Sequence, residues 1–173
     1  MQLDIKQYLS VFNDKEKTLK LLIIGCTVLL MDQVSKIVIY NSLLLYETIP
    51  FIPGFFNITH IHNPGGAFGF LSDKSPLIRT WMFMGVAFFA MCLVFYLYYT
   101  TPKSHPYLSL GFALIFGGAA GNLIDRVRLG KVIDFLDFYI GKYHWPAFNI
   151  ADSAISIGMA IFIFHLLLNK MPE

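Results

Sequence analysis

Residues 19–40 read LKLLIIGCTVLLMDQVSKIVIY. From Leu21 to Met31 the run is apolar apart from Thr27, and then Asp32, Gln33, Ser35 and Lys36 interrupt it before the apolar character resumes. A spanning helix needs about 20 predominantly apolar residues, so this stretch predicts a transmembrane helix. A charge in hydrocarbon costs at least about 2.5 kcal/mol, so Asp32 and Lys36 mark a functional region by default. Asp32 lies roughly 20 Å along the helix at about 1.5 Å per residue, close to one face of the bilayer.

Three more apolar stretches follow, at about 80–99, 108–123 and 151–168. The composition agrees: 56% of the 173 residues are hydrophobic, 14% are charged, and the mean hydropathy is +0.61. Soluble domains carry about 25% charged residues. The reading is a single polytopic domain over residues 1–173, with residues 1–18 a polar N-terminal extension and no cleavable signal peptide expected. The net charge of +2 gives no footprint for nucleic acid. Cys26 and Cys92 sit in apolar runs and are expected to be small buried hydrophobes, not a disulfide.

The loop between the first two spans, about 41–79, is long. Phe56, Ile58, His60 and His62 alternate, and Pro50, Pro53 and Gly54 punctuate the run, which predicts a short strand and a small sheet on the membrane surface. In Val132–Trp145, the spacing of Ile133, Leu136, Ile140 and Tyr143 predicts an interfacial helix. The fold expected is an all-α membrane protein of four transmembrane helices with a small extracytoplasmic β-sheet and an interfacial helix.

Four spans put both termini on one side. Asn122 lies roughly 20 Å into the third span, and Asp152 begins the fourth, so both approach the face opposite the termini, as Asp32 does. Lys and Arg are nearly balanced between the two sides, but Lys15, Lys17 and Lys20 before the first span favour a cytoplasmic N terminus.

Each polar cluster has a plain reading beside a functional one. Asp32, Ser35 and Lys36 share a helical face, so Asp32–Lys36 is either a local ion pair or a support for a site. Asn63-Pro-Gly65-Gly-Ala-Phe68 is a glycine-rich turn whose backbone can approach a ligand, with Asn63 offering donor and acceptor. Gly117 to Gly121 is a small-residue run suited to close helix packing. Asn122, Asp125 and Arg126 follow at i, i+3 and i+4; a structural Asp125–Arg126 ion pair accounts for two of them, and Arg126 could equally hold a peptide carbonyl or carboxylate. Asp134 lies in an apolar run, and Asp152 follows Asn149. Two carboxylates in a poorly solvated site split their pKa values, one serving as base and one as acid. The plain alternative is that Asp152 caps the fourth helix.

No Gly-x-Ser-x-Gly, no His-Glu-x-x-His and no cysteine placed with a base is present. His60 and His62 lack further ligands to complete a metal site. Neither a metal nor another cofactor is expected.

The motifs Asp32-Gln-Val-Ser-Lys36, Asn63-Pro-Gly-Gly-Ala-Phe68, Gly121-Asn-Leu-Ile-Asp-Arg126, Gly130-Lys-Val-Ile-Asp-Phe135 and Phe148-Asn-Ile-Ala-Asp-Ser153 together resemble the bacterial lipoprotein signal peptidases, signal peptidase II, from about Leu19 to Leu168. The resemblance implies an aspartic endopeptidase of the bacterial cytoplasmic (inner) membrane. Such an enzyme cuts diacylglyceryl-modified prolipoproteins on the N-terminal side of the lipid-bearing cysteine. It also implies that Asp134 and Asp152 are the catalytic pair. Asn63, Gly65, Asn122, Arg126 and Asn149 would position substrate or dyad, and Asp32, Lys36 and Asp125 would support the site. The glycine-rich motif departs mildly, with Gly66 where the family pattern has alanine. The expected partners are those precursors and membrane lipids, with no nucleic acid, and the chain is expected to be monomeric. The rival reading is a small ion-coupled transporter, since intramembrane Asp and Arg also mark ion pathways; a scaffolding subunit is a third. Against transport, the charges gather at one face and not at the midplane.

Overall fold

The computed structural model describes residues 12, 14–65 and 75–168. Gly66 to Phe68 of the glycine-rich motif, Lys74 and most of the polar extension lie outside the described residues. Among the described residues, four helices are long and apolar enough to cross a membrane. They are α1 (Lys15–Ser42), α2 (Pro76–Thr100), α3 (Pro106–Leu129) and α4 (Ile150–Leu167). Each boundary has a local cause. The Asp14 carboxylate accepts from the backbone N–H groups of Glu16 and Lys17 and starts α1 inside the polar extension. Ser75 caps α2 and Pro76 opens it; Pro106 opens α3. Gly130, at φ +71°, ends α3 with its N–H on the Arg126 carbonyl. α3 therefore runs past Asn122 to Leu129, two turns beyond the predicted end, because Arg126 and Arg128 near its C terminus favour the helix dipole.

α3 is the central helix and packs on α1, α2 and α4. Small residues allow the approach: Gly111 faces Gly158, and Gly118 faces the Ala151 carbonyl, with no room for a side chain at either contact. Leu21, Val94, Tyr98, Leu108 and Phe112 form one buried cluster, near the end where α1 begins. Outward-facing Leu22, Ile23, Val86, Phe88, Phe89 and Phe164 are exposed, as lipid-facing positions must be. Cys26 and Cys92 are free thiols on this exposed surface, not buried as expected. Their apolar runs reflect lipid contact, not a core.

An antiparallel sheet in the order β1-β2-β3-β4 sits over one end of the bundle: β1 (Thr48–Ile52), β2 (Phe56–Asn63), β3 (Val132–Ile140) and β4 (Tyr143–His144). The alternating strand is β2. Pro50 is tolerated because β1 is an edge. The segment 132–145 holds the strands β3 and β4 joined by a turn, not an interfacial helix. β3 supplies the hydrogen-bonding partner that β2 needs on its second edge, with Ile61 opposite Asp134 and His62 opposite Ile133. Spacing in a short apolar run does not separate helix from strand, whereas its β-branched and aromatic residues favour a pleated surface. A second cluster, Ile39, Leu43, Ile133 and Phe135, fastens β3 to the end of α1.

Candidate active site

Lys36 is the hub of the site and only 1% exposed. Its ammonium lies 2.8 Å from Asp32 Oδ2 and 2.8 Å from Asp125 Oδ2, and it donates to Asn122 Oδ1 at 3.0 Å. All three donors of the ammonium are thus used. The Asp32–Lys36 pair is present as the spacing predicted, but it is one side of a triad reaching α3. The expected Asp125–Arg126 ion pair is absent. Asp125 turns to Lys36, and also accepts from Gln33 Nε2 at 3.0 Å and from the Ile133 backbone N–H at 3.2 Å. Residues adjacent in sequence point to different sides of a helix, and helix packing selected the buried partner.

Two carboxylates sharing one cation need further compensation. Asp32 obtains it at the N terminus of α4, where Ala151 N–H donates to Oδ1 at 2.9 Å and the helix dipole favours negative charge. Gly121 makes this approach possible, since a Cβ there would stand 2.6 Å from Asp32 Oδ2.

The hub orients two amides. Asn122 Oδ1 accepts from Lys36 and from Asn149 Nδ2, so its own Nδ2 donates to Asp152 Oδ1 at 2.7 Å. Asn149 Nδ2 donates to Asp134 Oδ1 at 2.7 Å and to the Ile133 carbonyl at 3.2 Å. Asn149 Oδ1 accepts from Asp152 N–H, and Asp152 Oδ2 accepts from Asn149 N–H, a complete capping box. Asp152 therefore does cap the fourth helix, with one oxygen, while the other faces Asn122. Asn149 holds both carboxylates at once.

Asn63, at the end of β2, donates from Nδ2 to the second oxygen of Asp134 at 2.9 Å. Gly65 N–H donates to Asn63 Oδ1 at 2.8 Å, which leaves Nδ2 for Asp134. Gly65 holds φ +88° with the Phe83 ring against it, so a side chain fits neither backbone nor space. Arg126 donates from Nη1 to the Asn122 carbonyl at 3.2 Å and stacks over Phe83 at 5.8 Å.

Burial pushes the Asp134 carboxyl up to about 7 from 3.8; the negative charge of Asp152 adds to the rise, while Asn63, Asn149 and Lys36 oppose it. Asp134 is thus held well above the ordinary carboxylate range. Ten predicted residues meet in this one region: Asp32, Lys36, Asn63, Gly65, Asn122, Asp125, Arg126, Asp134, Asn149 and Asp152. Sequence reasoning missed the bridging role of Gln33, the wall formed by Phe83, and Gly121 as the seat of Asp32. Gln33 stands inside one of the motifs, but apart from its neighbour Asp32 its partners, the Gly121 carbonyl and Asp125, lie on α3 and leave no local signal.

Two carboxylates linked through amides at one end of a membrane bundle are suited to aspartic-type hydrolysis. The family described as Signal peptidase (SPase) II matches residues 24–168, and the chain belongs to that family. It is 50% identical over 154 residues to a lipoprotein signal peptidase of Desulforapulum autotrophicum, covering 89% of this chain and 95% of that one. It is 46% identical over 159 residues to that of Syntrophus aciditrophicus, covering 92% and 98%. A solved bacterial membrane enzyme, determined in meso at 2.3 Å, superposes with a TM-score of 0.77 at 34% identity, over 87% of this chain and 89% of that one. The chain is an aspartic endopeptidase of the bacterial inner membrane that removes signal peptides from prolipoproteins.

Proposed function

We propose that Asp134 and Asp152 are the catalytic pair and that the substrate is cut on the N-terminal side of a diacylglyceryl-modified cysteine. The observation that carries the assignment is Asn149, which hydrogen-bonds to both carboxylates. Asp134, the more readily protonated of the two by its burial, donates to the scissile carbonyl oxygen. Ionised Asp152 takes a proton from the attacking water as its oxygen bonds to the carbonyl carbon. In the resulting diol the proton on Asp152 passes to the leaving nitrogen, the C–N bond breaks, and Asp134 recovers its proton from a diol hydroxyl. The products are a signal peptide ending in a carboxyl group and a mature chain with a free cysteine amine. Asn63 and Asn149 hold Asp134, Asn122 holds Asp152, and Arg126 stands ready for a peptide carbonyl. The chain works as a monomer.

In this reading the site opens on the extracytoplasmic side and both termini are cytoplasmic, consistent with the lysines that begin α1. A reporter fused at the C terminus then reads cytoplasmic, and an extracytoplasmic signal would invert the topology. Acyl chains enter sideways from the bilayer; each buried methylene contributes about 0.8 kcal/mol, binding energy that positions the scissile bond. The deciding experiment compares cleavage of the lipidated precursor with the same polypeptide carrying an unmodified cysteine. Equal efficiency for both would remove the lipid from recognition.

A further inference from the structure

Arg126 sits close to both carboxylates of the catalytic pair and bonds to neither. The charges that act on it most are those of Asp152, Asp125 and Asp134. Asn122 links it to Asp152: the Asn122 carbonyl accepts from Arg126 Nη1 at 3.2 Å, while the Asn122 side chain donates to Asp152 Oδ1 at 2.7 Å. Among the described residues, however, no carboxylate lies within ion-pair distance of the guanidinium. A guanidinium withdrawn from water ordinarily takes a carboxylate, whose two oxygens match its fork of donors. Arg126 Nε is buried without a hydrogen-bond partner, so the side chain forgoes an acceptor to keep its present seat.

That seat is an aromatic face. The guanidinium carbon of Arg126 lies over the Phe83 ring, 5.8 Å from its centroid, where the negative face of the ring attracts a cation. The ring is itself held. Gly65 lies so near that a Cβ there would stand 2.6 Å from Cδ2 of Phe83. One turn earlier on α2, Thr80 Oγ1 donates to the Gly130 carbonyl at 3.1 Å, and Gly130 N–H donates to the Arg126 carbonyl at 3.0 Å. These contacts tie the start of α2 to the end of α3 and fix the height of the ring beside Arg126.

Resting on the assignment of Asp134 and Asp152 as the catalytic pair, we propose that Phe83 is a positioning residue: its ring holds the Arg126 guanidinium off both carboxylates, which leaves the pair free to work as acid and base and the guanidinium free for the substrate. A guanidinium released from the ring would have two carboxylates within its reach, and pairing with either makes Asp134 a stronger acid. A pair with Asp134 favours its ionised form directly. A pair with Asp152 cancels a negative charge that helps to keep the proton on Asp134. Lys36 of α1 and Asp125 of α3 also act on this region, but both stay bound in their own triad, and β2 presents the uncharged Asn63.

The test follows the Asp134 proton and not cleavage, so its outcome is separate from the assay that decides the catalytic assignment. In the full-length protein in detergent, the infrared carbonyl band of the protonated Asp134 carboxyl is identified by its loss in Asp134→Asn, and the pH at which it disappears is recorded. Phe83→Leu keeps an apolar side chain without the ring and is expected to lower that pH by roughly one pH unit or more. Phe83→Tyr keeps the ring face and is expected to leave it in place. Water entering behind the smaller leucine would also lower it, and an Arg126→Gln background separates the two causes, because there Phe83→Leu is expected to produce no shift. An unchanged pH in Phe83→Leu, or the same drop in Phe83→Tyr, overturns the proposal. So does a rise in Phe83→Leu, which would show the ring acting through Gly65 and Asn63. A drop that persists in the Arg126→Gln background overturns it too and would make Phe83 a seal against water.

Discussion

The bundle carries a cluster of charges at each end, and the two are built on opposite terms. Where α1 begins, Lys103 pairs with Asp14 at 3.0 Å and Glu16 at 2.9 Å, and Lys20 pairs with Glu16 at 2.7 Å, all within reach of water. Lys17 donates to the carbonyls of Tyr99 and Thr101 at the end of α2. These contacts tie helix ends together, and any of the exposed pairs can exchange partners with solvent. At the other end, Lys36, Asp32 and Asp125 are almost wholly buried, and each polar atom has an assigned protein partner. Exposed pairs contribute little because water competes for both charges. Buried ones hold a geometry because no alternative partner exists. The comparison places rigidity where the chemistry is.

Breaking the pair of carboxylates should have the largest effect. Asp134→Asn and Asp152→Asn are each expected to lower turnover by at least about a thousandfold, the scale of general acid–base assistance, while leaving the protein inserted and folded. Cleavage of a lipidated precursor in detergent measures it, and substantial residual turnover in either variant removes that residue from the pair.

Next comes the hub. Lys36→Met leaves two buried carboxylates facing each other without their cation, a loss of about 3–5 kcal/mol. Thermal unfolding in detergent should register a large drop, together with reduced turnover as Asn122 loses its anchor. An unchanged melting temperature would mean that the triad is not the rigid element argued above.

A subtler change sharpens the role of Asp134. Its pKa of about 7 lies above the ordinary 3.8, so kcat/KM should fall on the alkaline side as pH rises through about 7 and the acid loses its proton. The linked stability has the same sign: the contribution of this group is complete below about 3.8 and lost as pH rises through about 7. Asn63→Ala removes a donor that stabilises the ionised form, so the alkaline limb should move to higher pH. A shift to lower pH would assign that limb to another group.

The smallest effect belongs to the exposed cluster. Lys103→Ala opens two pairs that solvent can replace, and turnover and melting temperature should both stay within experimental error. A clear loss of activity would show that this end communicates with the site.

Much of the site was legible because burying charge in a membrane is expensive. Asp32, Asn122, Asp134 and Asp152 stood out against apolar surroundings, and the depths of Asp32, Asn122 and Asp152 along their helices placed those three toward one face, the face of the loop that carries Asp134. Pairing was another matter. Asp125 and Arg126 are neighbours in sequence, yet Asp125 is neutralised by a lysine on another helix. The segment around Asp134 reads as helix by spacing and is a strand because β2 needed a partner. Asn149 was visible as a residue beside Asp152, but its hold on Asp134 depends on how β3 and α4 meet.

By itself, the sequence determined four spans, the depth of the polar residues and, through its ordered motifs, the family. These depend on local composition and residue identity, which folding does not alter. Tertiary structure decided that Lys36 serves Asp125 as well as Asp32, which oxygen of Asp152 is free of its capping role, and that Asp134 is buried enough for its pKa to rise. Those outcomes depend on helix rotation and on close approaches at Gly118 and Gly121, set by packing between segments far apart in the chain.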